Sequence, residues 1–213
     1  EVARDENGKI DFESPLRLDI PLFKKHLEML FKGEEIDIPS FDFAKQERMS
    51  GMPLKRTRGD IVILEGIHAL NPLVTGNSED FTTCVYVSVR TRICDGDKLL
   101  HPSKIRLMRR LMRDKLFRGR SISDTFEFFK SVERGENLYI MPYKNRADFD
   151  IDTFIEYEPL VYRDILLPEL EAASEDFADY GDYSDIEYFL KLLSPVDSSI
   201  VPENSLIREF IGG

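Results

Sequence analysis

Arg106, Arg109, Arg110 and Arg113 fall at i, i+3, i+4 and i+7, so on an α-helix they share one face. Guanidinium groups crowded on one face repel each other unless an anion sits among them, and their planar forks suit phosphate oxygens. Arg118-Gly119-Arg120 follows as a glycine-containing loop with two further cations. The chain around them is acidic, with a formal net charge of -11. The competing reading is a solvated basic face. A second candidate is Glu65, which closes the apolar run Asp60-Ile61-Val62-Ile63-Leu64-Glu65-Gly66. In open parallel sheets ligands bind at the carboxyl ends of strands. A carboxylate there can hold a metal ion, directly or through water, or it can be an ordinary strand terminus. One carboxylate for Mg²⁺ and several arginines for the moving phosphates form the recurring kit of phosphoryl transfer.

These side chains need elements to position them. Asp60–Gly66 is short, continuously apolar and β-branched, the pattern of a strand buried on both faces of a parallel sheet. Thr83–Val89 reads as a second such strand, and Ala147–Phe154 as a third despite its aspartates. A short helix is expected at Pro72 between the first two. The arginine helix spans about Ser103 to Phe117, with Leu107, Met108, Leu111 and Met112 free to pack on its sides. Residues 90–102 read as irregular. A further helix starts at Ser121 or Ser123 and stops near Gly135. Glu158 to Ala173 reads as a helix despite Pro168, Glu175 to Asp185 as an acidic loop, and Ile186 to Leu193 as a helix. Near the start, Asp19 caps a helix with Pro21 in its first turn and Gly33 as its stop. Glu34 to Phe43 alternates like an exposed hairpin strand, with its partner near Met52 to Arg58. Strands alternating with helices give an α/β fold with a mainly parallel sheet.

Composition narrows the function classes. The chain has 213 residues, 42% hydrophobic and 32% charged, enough for one domain of good size. No apolar run reaches the roughly 18 residues a membrane span needs, and the start has no signal-peptide character. Two cysteines, Cys84 and Cys94, and three scattered histidines make no zinc pattern. A reducing cytoplasm is the natural setting, without a Cys84–Cys94 disulfide. The acidic balance argues against nucleic-acid binding, which needs an extended positive footprint. A small anionic ligand suits the local arginine cluster better.

Four motifs occur in a telling order: Asp11-Phe12-Glu13-Ser14-Pro15, Ser40-Phe41-Asp42-Phe43, Ile61–Ile67, and Arg109–Asp114 with Arg118-Gly119-Arg120. In these the chain resembles the uridine kinase and phosphoribulokinase superfamily of P-loop kinases. The resemblance covers roughly Asp5 to Phe154. Ile67-His68-Ala69-Leu70-Asn71-Pro72 and the tail Leu206–Gly213 look like a bacterial branch, in which a small domain similar to one in threonyl-tRNA synthetase often precedes the kinase.

The resemblance implies a P-loop-kinase-like parallel sheet flanked by helices, with a hairpin insertion at 34–58, an arginine helix and lid at 103–123, and a carboxyl-terminal helix and tail at 174–213, all in a single partial domain over 1–213. It implies transfer of the γ-phosphoryl group of ATP, with Mg²⁺, to the 5′-hydroxyl of a nucleoside. Glu65 then matches the Mg²⁺-associated acid, and Arg113 and Arg118 match lid arginines that approach the phosphates. Arg110 matches a substrate-binding arginine, and Arg120 a lid arginine near the nucleoside. Phe12 and Phe43 match aromatic walls of the nucleoside pocket, where a base can stack on a phenyl ring. Relatives often form homo-oligomers, although no interface signal shows in this sequence.

The departures are specific. Uridine kinases carry Asp where Glu13 stands, Tyr where Phe41 stands and the pyrimidine-reading His where Gln46 stands. Another nucleoside, a phosphosugar or another alcohol therefore remains open as acceptor, as does a non-catalytic nucleotide-sensing module. The phosphate-wrapping string G-x-x-x-x-G-K-[ST] does not occur in the sequence. On the resemblance, the first strand, the P-loop helix and the second strand with its general-base aspartate belong ahead of Asp5. The first of these strands would lie between the strands at Ile61–Glu65 and Cys84–Val89. The chain then reads as the carboxyl-terminal part of a kinase, with little turnover of its own.

Overall fold

Asp19 starts the first helix as its side chain predicts: its carboxylate accepts the Leu22 amide at 3.2 Å. The helix, α1, spans Ile20–Phe31 with proline in its first turn, and the chain turns out of it at Gly33, which has φ +75°. In the computed structural model, which describes residues 3–42, 47–76, 81–173 and 181–212, the chain divides into two units. One comprises residues 1–84 and 135–147, the other residues 85–134 and 148–213.

The first unit holds α1 and an antiparallel hairpin of β1 (Glu35–Asp42) and β2 (Glu47–Lys55). The return strand starts earlier than its expected place near Met52. Arg56 ties the hairpin's end to α1 by donating to the Leu30 and Phe31 carbonyls at 3.0 and 3.1 Å. A short helix α2 (Pro72–Thr75) is capped by Asn71, whose side chain accepts the Leu73 amide at 3.0 Å. Arg146 fastens this region by donating to the carbonyls of Leu70 and Gly76 at 2.7 and 2.9 Å.

One expectation for this unit fails. Ile61–Glu65 belongs to no strand, and Ile61 and Ile63 are exposed at 87% and 85%. A β-branched apolar run becomes a buried strand only when neighbours pair with its backbone on both sides. Among the described residues no strand pairs with it.

The second unit contains the hydrophobic core. The strand β3 (Val85–Ser88) pairs in parallel with β6 (Phe149–Asp152); these are the second and third of the three expected parallel strands. The aspartates of β6 have partners in the segment after β3. Asp150 ion-pairs with Arg90 at 2.5 Å. Asp152 accepts the Arg90 amide at 3.0 Å and the Thr91 hydroxyl at 2.7 Å. Residues 90–102 are not irregular: β4 (Ile93–Asp95) and β5 (Lys98–Leu100) form a small antiparallel hairpin. The core gathers Val89 and Leu100 with apolar side chains of α3 (Pro102–Arg113), α4 (Ile122–Tyr139), α5 (Glu158–Ala172) and α6 (Gly181–Leu192), and with Ile207 and Phe210. Phe210 lies on α7 (Arg208–Ile211).

Two boundaries differ from expectation, while α5 is the helix expected. α4 runs through Gly135 to Tyr139, and Gly135 packs closely against Glu13. A Cβ there would lie 2.2 Å from the Glu13 Cβ. The expected acidic loop at 175–185 is helical from Gly181 onward. α5 passes through Pro168, which forgoes one backbone hydrogen bond. The architecture is mixed α/β, a parallel strand pair flanked by helices, which is the class the sequence predicts. Cys84 and Cys94 are free thiols, and among the described residues no helix is long and apolar enough to cross a membrane.

Candidate functional site

The helix α3 is not a solvated basic face. Leu107, Met108, Leu111 and Met112 are buried, as their spacing predicts, and Arg109 is buried with them. Its Nε donates to Glu158 Oε2 at 2.7 Å and its Nη2 to Glu158 Oε1 at 2.8 Å. Nη1 and Nη2 also donate to the Thr153 hydroxyl and carbonyl at 3.2 and 2.5 Å. Arg109 therefore serves the interior. The expectation that the helical arginines share an anion fails at this residue, because position i+3 faces α5. Tyr162 donates to the same carboxylate at 3.2 Å, and burial pushes its phenol well above the ordinary range, with the Glu158 charge adding to the rise.

Four further arginines separate into two places. Arg113 ion-pairs with Glu209, and its guanidinium lies 5.0 Å from the Phe210 ring centre, while Arg109 approaches the same ring at 5.3 Å. Arg110, Arg118 and Arg120 instead gather on Asp114, whose side chain is 0% exposed. The helix changes character there. Residues Asp114–Arg118 form a π-helical turn ending at Gly119 in the left-handed region with φ +62°, and single π turns of this kind recur at functional sites. α4 starts beside it. Ser121 accepts the Asp124 amide at 3.1 Å and donates to its carboxylate at 2.7 Å, a reciprocal cap. Phe128, further along α4, carries the guanidiniums of Arg110 and Arg120 at 4.7 and 5.0 Å from its ring centre. Such cation–π contacts orient as well as attract. Sequence reading assigned no role to Asp114, Thr125 or Phe128. The signal was an acid immediately after the last helical arginine, and an aromatic on the helix that follows.

In the first unit, Phe12 is exposed, with the Arg17 guanidinium 4.9 Å from its ring centre. The segment is anchored at Asp11, which accepts the Glu13 amide at 3.2 Å and the Tyr139 hydroxyl at 2.7 Å. His68 is buried with its ring edge-on to Tyr139 at 6.2 Å. Burial holds its imidazole below the ordinary histidine range, against an opposing hydrogen bond with the Glu13 backbone. Glu13 is thereby brought beside the segment that carries Glu65. Glu65 itself is exposed, on an unpaired stretch. Phe41 lies on β1 opposite Arg48 and is also exposed. Phe43 and Gln46 lie outside the described residues.

The donor set for Mg²⁺ is sparse. Among the described residues no group of three or more His, Cys, Asp or Glu gathers as a cation site. Mg²⁺ commonly takes one or two protein carboxylates and completes its shell with water and substrate phosphates. Exposed Glu65 would fit as one such carboxylate, not as the core of a protein-made cage.

Fold and side chains together define a mixed α/β protein with guanidiniums gathered on one buried carboxylate. Residues 1–157 match the model of the phosphoribulokinase / uridine kinase family. A uridine kinase of Listeria monocytogenes serotype 4a (strain HCC23) is 31% identical over 151 residues, 70% of this chain and 65% of that protein. A uridine kinase of Lactobacillus helveticus (strain DPC 4571) is 32% identical over 148 residues, 69% of this chain and 63% of that protein. A uridine kinase of Anoxybacillus flavithermus (strain DSM 21510 / WK1) is 33% identical over 148 residues, with the same two coverages of 69% and 63%. The chain thus spans just under two thirds of the length of these curated relatives. It belongs to the phosphoribulokinase/uridine kinase family.

Proposed function

We propose that the chain carries the acceptor and lid residues of a cytoplasmic kinase that transfers the γ-phosphoryl group of Mg·ATP to the 5′-hydroxyl of a nucleoside. The observation that carries this reading is the set of Arg110, Arg118 and Arg120 around Asp114. Guanidinium groups gathered this closely suit a polyphosphate, whose oxygens match their planar forks. The names of the relatives supply the acceptor class.

In this reading Arg110, Arg118 and Arg120 hold phosphate oxygens. Arg113 joins them after leaving Glu209. Glu65 supplies one carboxylate to the nucleotide's Mg²⁺, whose chemistry is to neutralise the phosphate oxygens as charge shifts between them. Phe12, Phe41 and Phe43 offer ring faces to the base, while Glu13 and Gln46 offer acceptors to ribose and base. Glu13 and Phe41 differ from the usual uridine kinase residues, which favours testing acceptors beyond uridine. Because G-x-x-x-x-G-K-[ST] does not occur in the sequence, the chain by itself is expected to bind nucleotide and turn over little.

The test is a panel. Binding of ATP, uridine, cytidine, other nucleosides and ribulose 5-phosphate is followed by calorimetry, and ATP-dependent phosphorylation of each acceptor is assayed in parallel. Binding of ATP and a nucleoside with slow transfer supports the reading. Preference for the phosphosugar moves the acceptor, ATP binding without any acceptor binding favours a nucleotide sensor, and rapid turnover contradicts the expected inactivity.

A further inference from the structure

The segment Asp11–Ser14 is folded inside out. Asp11 and Ser14 are each 5% exposed, whereas Phe12 between them is 56% exposed. Folding alone favours the opposite, because a buried carboxylate costs free energy unless hydrogen bonds compensate it, and a phenyl ring gains by burial. The bonds that hold this segment converge from several places in the first unit. Asp11 Oδ1 accepts the Glu13 amide at 3.2 Å, and an Asp11 oxygen, Oδ2, accepts the Tyr139 hydroxyl from the end of α4 at 2.7 Å. The Asp11 amide donates to the Ala3 carbonyl at 2.9 Å, and the Ser14 amide to the Asp11 carbonyl at 3.4 Å. His68, buried beside Tyr139, bonds the Glu13 backbone. Its Nδ1 has no hydrogen-bond partner among the described residues, so Nε2 makes that bond. Gly135, one turn before Tyr139 on α4, leaves no room for a side chain beside Glu13 Cβ.

None of these bonds buries Phe12, and a segment held for stability alone gains nothing from leaving its ring outside. We infer that Tyr139, supported by His68, is a positioning residue for the acceptor. Through the Asp11 carboxylate and the Glu13 backbone, the two hold Phe12 and Glu13 in one pose before a nucleoside arrives. Ordering a side chain on binding subtracts from affinity. A group already held by its supporting residues avoids part of that loss, so the hold adds to affinity without touching the ligand. This inference rests on the reading of Phe12 and Glu13 as acceptor-facing, and it adds two residues to which the sequence assigned no role.

Uridine, cytidine, adenosine and guanosine are titrated into the full chain by calorimetry, for the wild type, Tyr139→Phe, Glu13→Gln and the double variant. Circular dichroism and denaturant midpoints are measured in parallel. Tyr139→Phe removes the hydroxyl and keeps the ring. A merely structural tyrosine lowers the midpoint and leaves the affinity of the folded chain unchanged. A positioning tyrosine weakens binding of the nucleoside that the wild type takes by about tenfold, the scale of one lost hydrogen bond. Its loss overlaps with that of Glu13→Gln, so the double variant binds more tightly than the product of the two single losses requires. Unchanged affinity in folded Tyr139→Phe, or losses that multiply in full, overturn the inference and leave Phe12 and Glu13 standing as acceptor-facing. If Tyr139→Phe does not fold, His68→Phe, which keeps a ring beside Tyr139 and removes the bond to Glu13, decides by the same criteria. A wild type that binds none of these nucleosides, or a Glu13→Gln variant that binds as the wild type does, sinks the reading beneath along with the inference.

Discussion

Arg109 and Glu158 meet fork to fork, Nε to Oε2 at 2.7 Å and Nη2 to Oε1 at 2.8 Å, inside the second unit. Removing either partner leaves the other charge buried without its match, which costs about 3–5 kcal/mol. Arg109→Gln and Glu158→Gln are each expected to lower the denaturant midpoint by that margin. The double variant is expected to lose much less than the sum. Additive losses would show that the pair is not coupled.

His68 sets an acid limit on stability. Burial holds its imidazole below the ordinary histidine value of about 6.5, so the unfolded chain takes up the proton first as pH falls. Stability then drops from about pH 6.5 downward until the folded histidine protonates too, by at most about 1.4 kcal/mol per pH unit. Denaturant unfolding between pH 5 and 8 is expected to show this slope in the wild type and a flatter one in His68→Gln. Equal slopes would remove His68 as the cause.

The arginines are expected to differ in their contribution to polyphosphate binding. Charge-assisted hydrogen bonds contribute about 1.5–3 kcal/mol, roughly ten- to a hundredfold in affinity. Arg118→Gln is expected to weaken tripolyphosphate binding by that factor. Arg113→Gln is expected to weaken it less, because Glu209 and Phe210 already engage Arg113. Glu209→Gln, which releases Arg113, is expected to tighten binding a few-fold. A tighter Arg113→Gln would argue that Arg113 stays on the tail.

Gly135 is a contact position. A methyl there would meet Glu13 Cβ at 2.2 Å and Cγ at 2.6 Å, and overpacking of this kind costs about 1–3 kcal/mol. Gly135→Ala is expected to destabilise the first unit, and Glu13→Gly in the same chain is expected to restore part of the loss. Hydrogen exchange of the Asp11–Ser14 amides measures both effects. Unchanged protection in Gly135→Ala would show that the segment yields freely.

Local chemistry made α1, α2, the hairpin and the β3–β6 pair legible in the sequence. Asp19 and Asn71 cap with their own side chains, and the segments at 85–88 and 149–152 pair in parallel despite the aspartates of the second. The Ile61–Glu65 run carried the same local signal and did not become a strand, because pairing is a property of neighbours rather than of the run itself. The arginine periodicity located the site but not its internal division. Helical spacing places Arg109 and Arg113 on one face, and only the positions of α5 and the tail determine that Arg109 goes to Glu158 and Arg113 to Glu209. Asp114 stands four residues from both Arg110 and Arg118, a spacing legible in the sequence, whereas the return of Arg120 depends on the turn at Gly119.

The exposed side chains of Ile61 and Ile63 affect how the chain behaves as a solute. Bare apolar side chains invite association, and the mutual repulsion of molecules with a net charge of -11 opposes it. Repulsion reaches only about 8 Å at physiological ionic strength. Salt weakens that opposition and leaves the apolar side chains bare, so self-association is expected to rise from dilute buffer to the usual saline.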